Sequence, residues 1–173
     1  MNQTTIEPLF SADAIASRMR ELGQEIRARS GDAEVFLLGI LKGSSCFLAD
    51  LLRAVPGDVG YGYIDVIRDV PDTIAGEALE IDFLRFTDIR NRNVYVLKDV
   101  VATGVIENWL FNQLRVSGPA SLSLVALLDR ADVRTVDVTA DFSAFRVGEG
   151  TFAGYGLEYE GRYGNLPYIG RVG

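Results

Sequence analysis

The sequence predicts an α/β fold: a central, mostly parallel sheet flanked by helices, with a small lobe formed by the N-terminal and C-terminal segments. Short, continuous apolar runs typical of strands buried on both faces alternate with segments whose apolar residues recur at helical spacing. Such alternation is typical of parallel strands joined by crossover helices. The chain has 173 residues, 48% of them hydrophobic and 24% charged, which fits one globular domain spanning residues 1–173.

Composition excludes several functional classes. The formal net charge of -7 argues against a nucleic-acid partner and against an anionic membrane, since both need a basic surface. The chain has no histidine and a single cysteine, Cys46, which excludes zinc sites built from His and Cys, Ser-His-Asp triads and a histidine general base. Its chemistry must use carboxylates, lysine, arginine, hydroxyls, backbone groups or Mg²⁺ held by oxygen ligands.

The N-terminal sequence lacks the basic and apolar pattern of a signal peptide. No apolar run approaches the roughly 20 residues needed to span a bilayer. We therefore expect a cytoplasmic protein with no membrane partner.

The chain opens with a predicted helix and a buried strand. Residues 1–10 are interpreted as an arm leading to Ser11, a preferred N-cap residue. Apolar side chains at helical spacing extend the first helix to about Arg29. Residues 35–40 form a continuous apolar run and predict a strand buried on both faces.

The next segment predicts a second helix and a second strand. After a loop at residues 41–45, the helix continues to the Pro-Gly pair at residues 56–57, and its core face is Phe47, Leu48, Leu51, Leu52 and Val55. The type of side chain alternates from residue to residue along residues 60–66, which predicts a strand. Residues 67–78 have no steady period and predict a long loop of the kind that often covers a site.

The second half continues the alternation of strands and helices. A strand at residues 79–84 and a polar turn at residues 88–93 lead to a central strand that begins at Val94. A helix from Val105 is predicted to bury Ile106, Trp109, Leu110, Gln113 and Leu114. Further strands are predicted at residues 121–128, 136–138, 142–147 and 152–159, before a tail at residues 165–170 that packs apolar groups.

Residues 94–104 are the first candidate for anion binding. They form an apolar strand, a polar turn ending in Thr103 and Gly104, and a helix start. In a parallel sheet, this arrangement places free backbone N–H groups at the carboxyl edge of the strands, where a phosphate would bind. The alternative is an ordinary tight turn between a strand and a helix.

The loop at residues 41–45 is the second candidate. It carries Lys42, Gly43 and two serine hydroxyls between a strand and a helix. One interpretation is a second anion site. The other is simple helix capping by Ser44 or Ser45, beside a solvated Lys42.

Several motifs, in the same order, resemble those of the bacterial hypoxanthine-guanine phosphoribosyltransferases. They are Gly-Ile-Leu-Lys-Gly-Ser at residues 39–44 with Phe-Leu-Ala-Asp-Leu-Leu-Arg at 47–53, Leu-Leu-Asp-Arg at 127–130, Gly-Tyr-Gly-Leu-Glu-Tyr at 154–159 and Asn-Leu-Pro-Tyr-Ile-Gly at 165–170. The resemblance covers residues 7–172 and implies one domain with the type I phosphoribosyltransferase fold. It also implies transfer of ribose 5-phosphate from phosphoribosyl pyrophosphate to hypoxanthine or guanine, release of pyrophosphate, Mg²⁺ as cofactor, and a homodimer or homotetramer.

The resemblance implies roles for both candidate loops. Lys42 and Gly43 would bind pyrophosphate, with a strained peptide bond at that step. Thr103 and Gly104 would hold the 5'-phosphate at the helix start, and Asp99 would bind a ribose hydroxyl. Such contacts suit a transition state that resembles an oxocarbenium ion, because catalysis then rests on fixing and neutralising phosphates.

Three further positions correspond to substrate or metal contacts of the family. Arg130 stands where the family has a lysine that reads the 6-oxo group of the purine. Glu158 stands where it has an aspartate near the metal. The aromatic residue that stacks on the purine corresponds to Thr151, or to Phe152 if the register differs by one residue.

Other ligand positions depart from the family's pattern. The central motif normally has acids at the positions of Lys98 and Ala102, and the acid at the second contributes general-base catalysis worth roughly 10²–10⁴-fold. Ala102 cannot take a proton, and Lys98 can donate hydrogen bonds but cannot accept them. Ile106 replaces a hydroxyl that binds phosphate, residues 67–78 lack the family's Ser-Tyr pair, and Gly164 replaces a basic residue.

These departures leave three functional hypotheses. The first is a purine phosphoribosyltransferase of weak or altered activity. The second is a non-catalytic homologue that binds a nucleotide and regulates another process. The third is a repurposed biosynthetic enzyme in which Lys98, beside Asp99, acts as a cation, base or nucleophile, although Lys98 can also be a solvated residue at a strand end. Each expects a phosphorylated small molecule as ligand: phosphoribosyl pyrophosphate, a nucleotide or pyrophosphate.

Overall fold

The structure, a computed structural model, describes residues 4–69, 78–83 and 87–173, and for residues 67–69 and 78–83 it describes the backbone alone. The elements of this part of the chain are, in order, β1 (Ile6–Phe10), α1 (Ala12–Ser30), β2 (Val35–Ile40), α2 (Ser45–Ala54), β3 (Val59–Asp69), β4 (Ala78–Phe83), β5 (Asn93–Val101), α3 (Val105–Val116), β6 (Ser121–Asp129), β7 (Phe142–Arg146), β8 (Phe152–Ala153) and β9 (Ile169–Val172). A short 3₁₀-helix at Ala131–Val133 follows β6. None of the described helices is both long enough and apolar enough to cross a membrane.

The central sheet has the strand order β4-β3-β2-β5-β6-β7. All neighbouring strands from β3 to β7 run parallel, and β4 pairs antiparallel with β3 at one edge. The predicted mostly parallel sheet is thereby confirmed. Every residue of β2 is buried, because this strand lies inside the sheet with helices on both faces, as its continuous apolar run predicted.

The helices form the two outer layers. α1 and α2 pack on one face of the sheet, where their apolar side chains join Leu37 of β2 and Leu97 of β5 in one core cluster. α3 covers the other face, where Leu110 and Leu114 join Val94, Val96 and their neighbours in a second cluster. The predicted start of α1 is confirmed, since the Ser11 hydroxyl accepts a hydrogen bond from the backbone N–H of Ala14 at 3.2 Å.

The buried face of α3 differs from the predicted one. The buried residues are Glu107, Leu110 and Leu114, whereas Ile106 and Trp109 are half-buried and Gln113 is exposed. Residues 107, 110 and 114 share one stripe because they stand three and four positions apart. The prediction did not include Glu107, and fully buried carboxylates are rare in proteins.

The predicted small lobe is an antiparallel sheet with the strand order β1-β9-β8. The interpretation of residues 1–10 as an arm is wrong for β1, which pairs with β9 from the other end of the chain. Residues 136–138 form no strand, and the predicted strand at 152–159 is reduced to the two residues of β8. The chain turns immediately afterwards, because Gly154, Tyr155 and Gly156 all have positive φ angles.

The predicted loop at residues 67–78 is shorter at both ends. Residues 67–69 continue β3 and residue 78 begins β4, and the two strands pair antiparallel from Ile64 with Phe83 to Asp69 with Ala78. The rest of the predicted loop, residues 70–77, and the last residue of the predicted strand, Leu84, lie outside the described residues.

Candidate active site

The two candidate loops lie at the same edge of the sheet. β2 and β5 are parallel neighbours whose register pairs Gly39 with Leu97, so the loops after them emerge side by side. A cavity of about 250 Å³ lies at this edge and is lined by Leu41, Lys42, Gly43, Asp99, Gly156 and Glu158. The structure therefore brings together Lys42, Gly43, Asp99 and Glu158 from three separate segments of the sequence.

Gly43 and Asp99 define the narrowest point between the loops. A Cβ atom at residue 43 would lie 1.9 Å from Oδ2 of Asp99, which is far closer than any side chain could approach. The opposite side is closed by Gly156, whose φ angle is 92° and where an added Cβ would lie 3.0 Å from the carbonyl oxygen of Gly43. Position 43 requires glycine because any larger residue would collide with the Asp99 carboxylate.

The first loop places the positively charged Lys42 beside the carboxylate of Glu158. Lys42 forms an ion pair with Glu158 at 2.6 Å between Nζ and Oε2, while three quarters of the lysine side chain stays exposed. The peptide bond between Leu41 and Lys42 is cis, one residue before the bond between Lys42 and Gly43 at which the resemblance implies strain. A cation with this exposure can exchange its carboxylate partner for a phosphate.

The serine hydroxyls of the first loop do not cap α2. The Ser44 hydroxyl is buried and donates to the carbonyl of Ile40 at 2.6 Å, and the Ser45 hydroxyl donates to the carbonyl of Lys42 at 2.6 Å. No side-chain capping bond forms at Ser44, the N-cap residue. The capping interpretation is therefore wrong, and the hydroxyls instead fix the turn that carries Lys42 and Gly43.

The second loop leads into α3 through Gly104. This residue is the N-cap of α3 and has a left-handed φ angle of 83°, which glycine adopts without strain. The Thr103 side chain is exposed, and its Oγ1 accepts a long hydrogen bond of 3.4 Å from the N–H of Val105. The carbonyl of Thr103 accepts a hydrogen bond from the backbone N–H of Thr135 at 3.0 Å, which ties the loop to the segment after β6.

Lys98 and Asp99 form an ion pair at the carboxyl end of β5. The two side chains are only 20% and 22% exposed, so Lys98 is not a solvated residue at a strand end. Oδ1 of Asp99 contacts Nζ of Lys98 and also accepts the N–H of Val100 at 2.8 Å. Oδ2 is the oxygen that faces Gly43 and the cavity.

Glu107 is a buried acid that the sequence analysis missed. It is only 3% exposed and lies beneath the second loop, on the stripe of α3 that faces the sheet. Burial raises the pKa of its carboxyl group above the ordinary value of 4.5, although a backbone hydrogen bond and the cations Lys98 and Arg134 oppose the rise. Its position three and seven residues before Leu110 and Leu114 was the one signal available in the sequence.

Arg130 and Ala102 lie beside each other, because each follows the last residue of one of two paired strands. β5 and β6 pair Val101 with Asp129, and the N–H of Arg130 donates to the carbonyl of Val101 at 2.9 Å. The Arg130 side chain approaches Asp132 at 3.5 Å, and its buried Nε has no hydrogen-bond partner among the described residues. Two positions implied by resemblance to contact the purine therefore stand side by side.

Phe152 lies in β8 and is 7% exposed, packed within the core cluster that α1 and α2 share. The preceding residue, Thr151, is exposed. The role of Phe152 in stacking on a substrate stays a prediction.

Comparison with known proteins identifies relatives over nearly the whole chain. A family model described as a phosphoribosyl transferase domain matches residues 6–160. The hypoxanthine-guanine phosphoribosyltransferase of Bacillus subtilis (strain 168) is 32% identical over 162 residues, covering 94% of this chain and 90% of that protein. The hypoxanthine phosphoribosyltransferase of Salmonella typhimurium is 33% identical over 172 residues, covering 97% of this chain and 96% of that protein. A crystal structure of a hypoxanthine-guanine phosphoribosyltransferase from Bacillus anthracis matches with a TM-score of 0.87 at 29% identity, covering 99% of each chain.

The Glu107→Gln substitution is expected to increase the free energy of unfolding at pH 7. Because burial raises the pKa of Glu107 in the folded protein, the folded state holds the proton to higher pH than the unfolded chain and loses stability as the pH rises between the two values. A neutral amide avoids this loss. Urea unfolding from pH 4 to pH 8 should show the two proteins converging below about pH 4.5 and separating to a constant difference above the folded-state pKa.

Glu21→Gln provides the control, because it removes an exposed carboxylate from α1 on the other face of the sheet. Its effect should stay within about 0.5 kcal/mol. A Glu107→Gln protein with the same stability as the wild type at every pH would contradict the prediction.

Proposed function

The chain belongs to the hypoxanthine-guanine phosphoribosyltransferase family, and we propose that it transfers the phosphoribosyl group of phosphoribosyl pyrophosphate to hypoxanthine or guanine. The observation that carries the proposal is the cavity in which Lys42 and Gly43 of the first loop meet Asp99, just before the second loop. Two loops suited to phosphates at one sheet edge match a substrate that carries a pyrophosphate and a 5'-phosphate on one ribose.

The proposed reaction exchanges one bond at the ribose. The bond from C1' to the pyrophosphate oxygen breaks, a bond from C1' to N9 of the purine forms, and the purine proton passes to solvent. Lys42 and the backbone of Gly43 would hold the leaving pyrophosphate, and the N–H groups that follow Thr103 and Gly104 would hold the 5'-phosphate. With both ends fixed, positioning and electrostatic stabilisation supply most of the rate enhancement.

The family implies Mg²⁺, and the donor set of the cavity fits it. Mg²⁺ is usually held by one or two carboxylates together with substrate phosphates. Glu158 is the cavity carboxylate that would hold the ion, which would neutralise charge on the pyrophosphate, and Lys42 would then pair with phosphate instead. The described residues contain no group of three His, Cys, Asp or Glu side chains that could form an all-protein site, so binding of the ion would depend on substrate.

The ion pair between Lys98 and Asp99 disfavours the form of the repurposed-enzyme hypothesis in which Lys98 acts as a base or nucleophile. Lys98 is paired with Asp99, and an ion-paired ammonium is neither a base nor a nucleophile. A native activity on an unrelated substrate that Lys98→Ala abolishes, with no salvage activity created by Ala102→Asp, would revive that hypothesis. The homodimer or homotetramer and the cytoplasmic location expected from the sequence stay predictions.

The purified protein should release pyrophosphate from phosphoribosyl pyrophosphate when Mg²⁺ and hypoxanthine or guanine are present. A coupled pyrophosphate assay, with nucleotide formation checked by chromatography, measures the reaction. Absence of turnover at high protein concentration would remove the proposal. Nucleotide binding by calorimetry without turnover would then favour the non-catalytic alternative.

Gly43→Ala is expected to reduce kcat/KM by roughly 10²-fold or more, because a displacement of about 1 Å between the loops is enough for such a loss. The added methyl group would collide with the Asp99 carboxylate and separate the pyrophosphate loop from the ribose site. Gly148→Ala is the matched control, since nothing lies within 4 Å of a Cβ at that position. Steady-state kinetics measure kcat/KM for both variants. Equal kcat/KM of Gly43→Ala and the wild type would show that the close approach of Gly43 to Asp99 is not required.

Ala102→Asp is expected to increase kcat by roughly 10²-fold, the lower end of what a positioned general base contributes. The new carboxylate would stand beside Arg130 at the end of β5, where the purine proton is released in the proposed reaction. Ala33→Asp adds the same charge at an exposed turn before β2 and should leave kcat unchanged. An unchanged or lower kcat in Ala102→Asp would mean that loss of this base does not limit the rate.

A further inference from the structure

The turn at residues 154–158 forms one wall of the candidate active site. Its Gly156 lies so close to the first loop that an added Cβ would be 3.0 Å from the carbonyl oxygen of Gly43. Its Glu158 forms the ion pair with Lys42 and is the carboxylate that the proposed function assigns to Mg²⁺. The position of this turn relative to the first loop therefore sets the space between them.

Tyr155 attaches the 154–158 turn to α2, the helix that follows the first loop. Its side chain is 8% exposed and lies in the core cluster shared by α1 and α2. Its hydroxyl donates a hydrogen bond to Oδ2 of Asp50 at 2.7 Å. The carbonyl of Cys46 lies 3.5 Å from the same hydroxyl, and since a phenol has one proton, the shorter contact takes it. Among the described residues, no other side chain of this turn forms a hydrogen bond with α2.

The backbone of Tyr155 indicates that its side chain is what the position uses. The φ angle is 53°, a left-handed value that glycine and asparagine adopt more readily than an aromatic residue. Both neighbours, Gly154 and Gly156, also have positive φ angles. A third glycine would relieve the backbone, so what tyrosine adds here is the contacts of its ring and hydroxyl.

We propose that Tyr155 is a positioning residue for pyrophosphate: its hydrogen bond with Asp50 holds the 154–158 turn at the distance from the first loop that pyrophosphate and its Mg²⁺ require. The inference rests on the proposed function, since it takes pyrophosphate to bind between the first loop and Glu158. Tyr155 does not line the cavity, and no covalent bond changes at it. It acts through Gly156 and Glu158, which follow it in the turn.

This contact predicts a selective loss of affinity. A turn that can move away from the first loop holds pyrophosphate less tightly in the bound substrate and in the transition state alike, which raises KM and leaves kcat nearly unchanged. The second loop, where the proposed function places the 5'-phosphate, is held instead by the hydrogen bond between Thr135 and the carbonyl of Thr103. A nucleotide without pyrophosphate should therefore bind as before.

Tyr155→Phe tests the inference, because it removes the hydroxyl and keeps the ring. Its KM for phosphoribosyl pyrophosphate should rise roughly 5-fold, the equivalent of one hydrogen bond, with kcat within about twofold of the wild type. Calorimetric titration should show magnesium pyrophosphate binding roughly 5-fold more weakly and inosine 5'-monophosphate binding with unchanged affinity.

Tyr95→Phe is the matched control. Tyr95 is 4% exposed, belongs to the same core cluster, and shares a hydrogen bond of 2.6 Å with the Ser30 hydroxyl. It precedes Asp99 on β5 by roughly 13 Å of strand, far from the cavity. The control should destabilise the fold about as much as Tyr155→Phe, measured by urea unfolding, without raising KM, because a smaller folded fraction lowers only the apparent kcat.

Two changes on α2 separate the hydrogen bond from the ion pair that Asp50 forms with Arg53. Asp50→Ala removes the acceptor and should raise KM, and the double variant with Tyr155→Phe should behave like Asp50→Ala alone, since both changes remove the same bond. Arg53→Gln removes only the ion pair, whose arginine side chain is 72% exposed, and should leave KM unchanged.

Equal KM and equal affinity for magnesium pyrophosphate in Tyr155→Phe and the wild type would overturn the inference. An increase in KM that Tyr95→Phe or Arg53→Gln reproduces, or an equal loss of inosine 5'-monophosphate binding, would overturn it too, because the effect would then not be specific to this contact. Failure of the proposed function looks different: the wild type itself would show neither turnover nor binding of magnesium pyrophosphate, and the inference would fall with it.

Discussion

The close approach of the Gly43 backbone to the Asp99 carboxylate fixes the separation of the two loops of the site. β2 and β5 deliver these loops to one edge of the sheet, but the parallel register alone would allow side chains to hold them apart. A Cβ added at Gly43 would lie 1.9 Å from Oδ2 of Asp99, and a Cβ added at Gly156 would lie 3.0 Å from the Gly43 carbonyl oxygen. Glycine at both positions lets three chain segments meet without side chains between them.

Glu107 is an ionisable residue within the otherwise apolar buried stripe of α3. A buried acid at residue 107 lowers stability at neutral pH, yet it lies where an apolar side chain would extend the stripe of Leu110 and Leu114. The two large core clusters on either face of the sheet provide the stability that tolerates this acid.

The sequence predicted the elements whose signal is local. β2 coincides with residues 35–40 because a continuous apolar run between polar turns has one structural interpretation, and the cap at Ser11 depends on neighbouring residues alone. The small sheet was predicted as a lobe, with β8 inside a longer strand, but β1 was not predicted as a strand because it pairs with a strand from the other end of the chain. At the site, resemblance predicted Lys42 and Asp99, whereas Glu107 was missed because a single acid within a helical pattern is normally assigned to the exposed face.

The pairing within the site determines what chemistry remains after the departures from the family's pattern. Lys98 contacts only Oδ1 of Asp99, and Oδ2 faces the cavity, where the proposed function would have it accept a hydrogen bond from a ribose hydroxyl. Ala102 cannot take a proton, and Glu107, the acid in the first turn of α3, is only 3% exposed. In the proposed reaction, Lys42, Gly43 and Asp99 form a first set of groups, which would fix phosphate and ribose, whereas the acid that would take the purine proton is missing at Ala102. A reaction whose barrier lies mainly in charge separation at C1' can proceed with the first set alone, with the proton leaving to water.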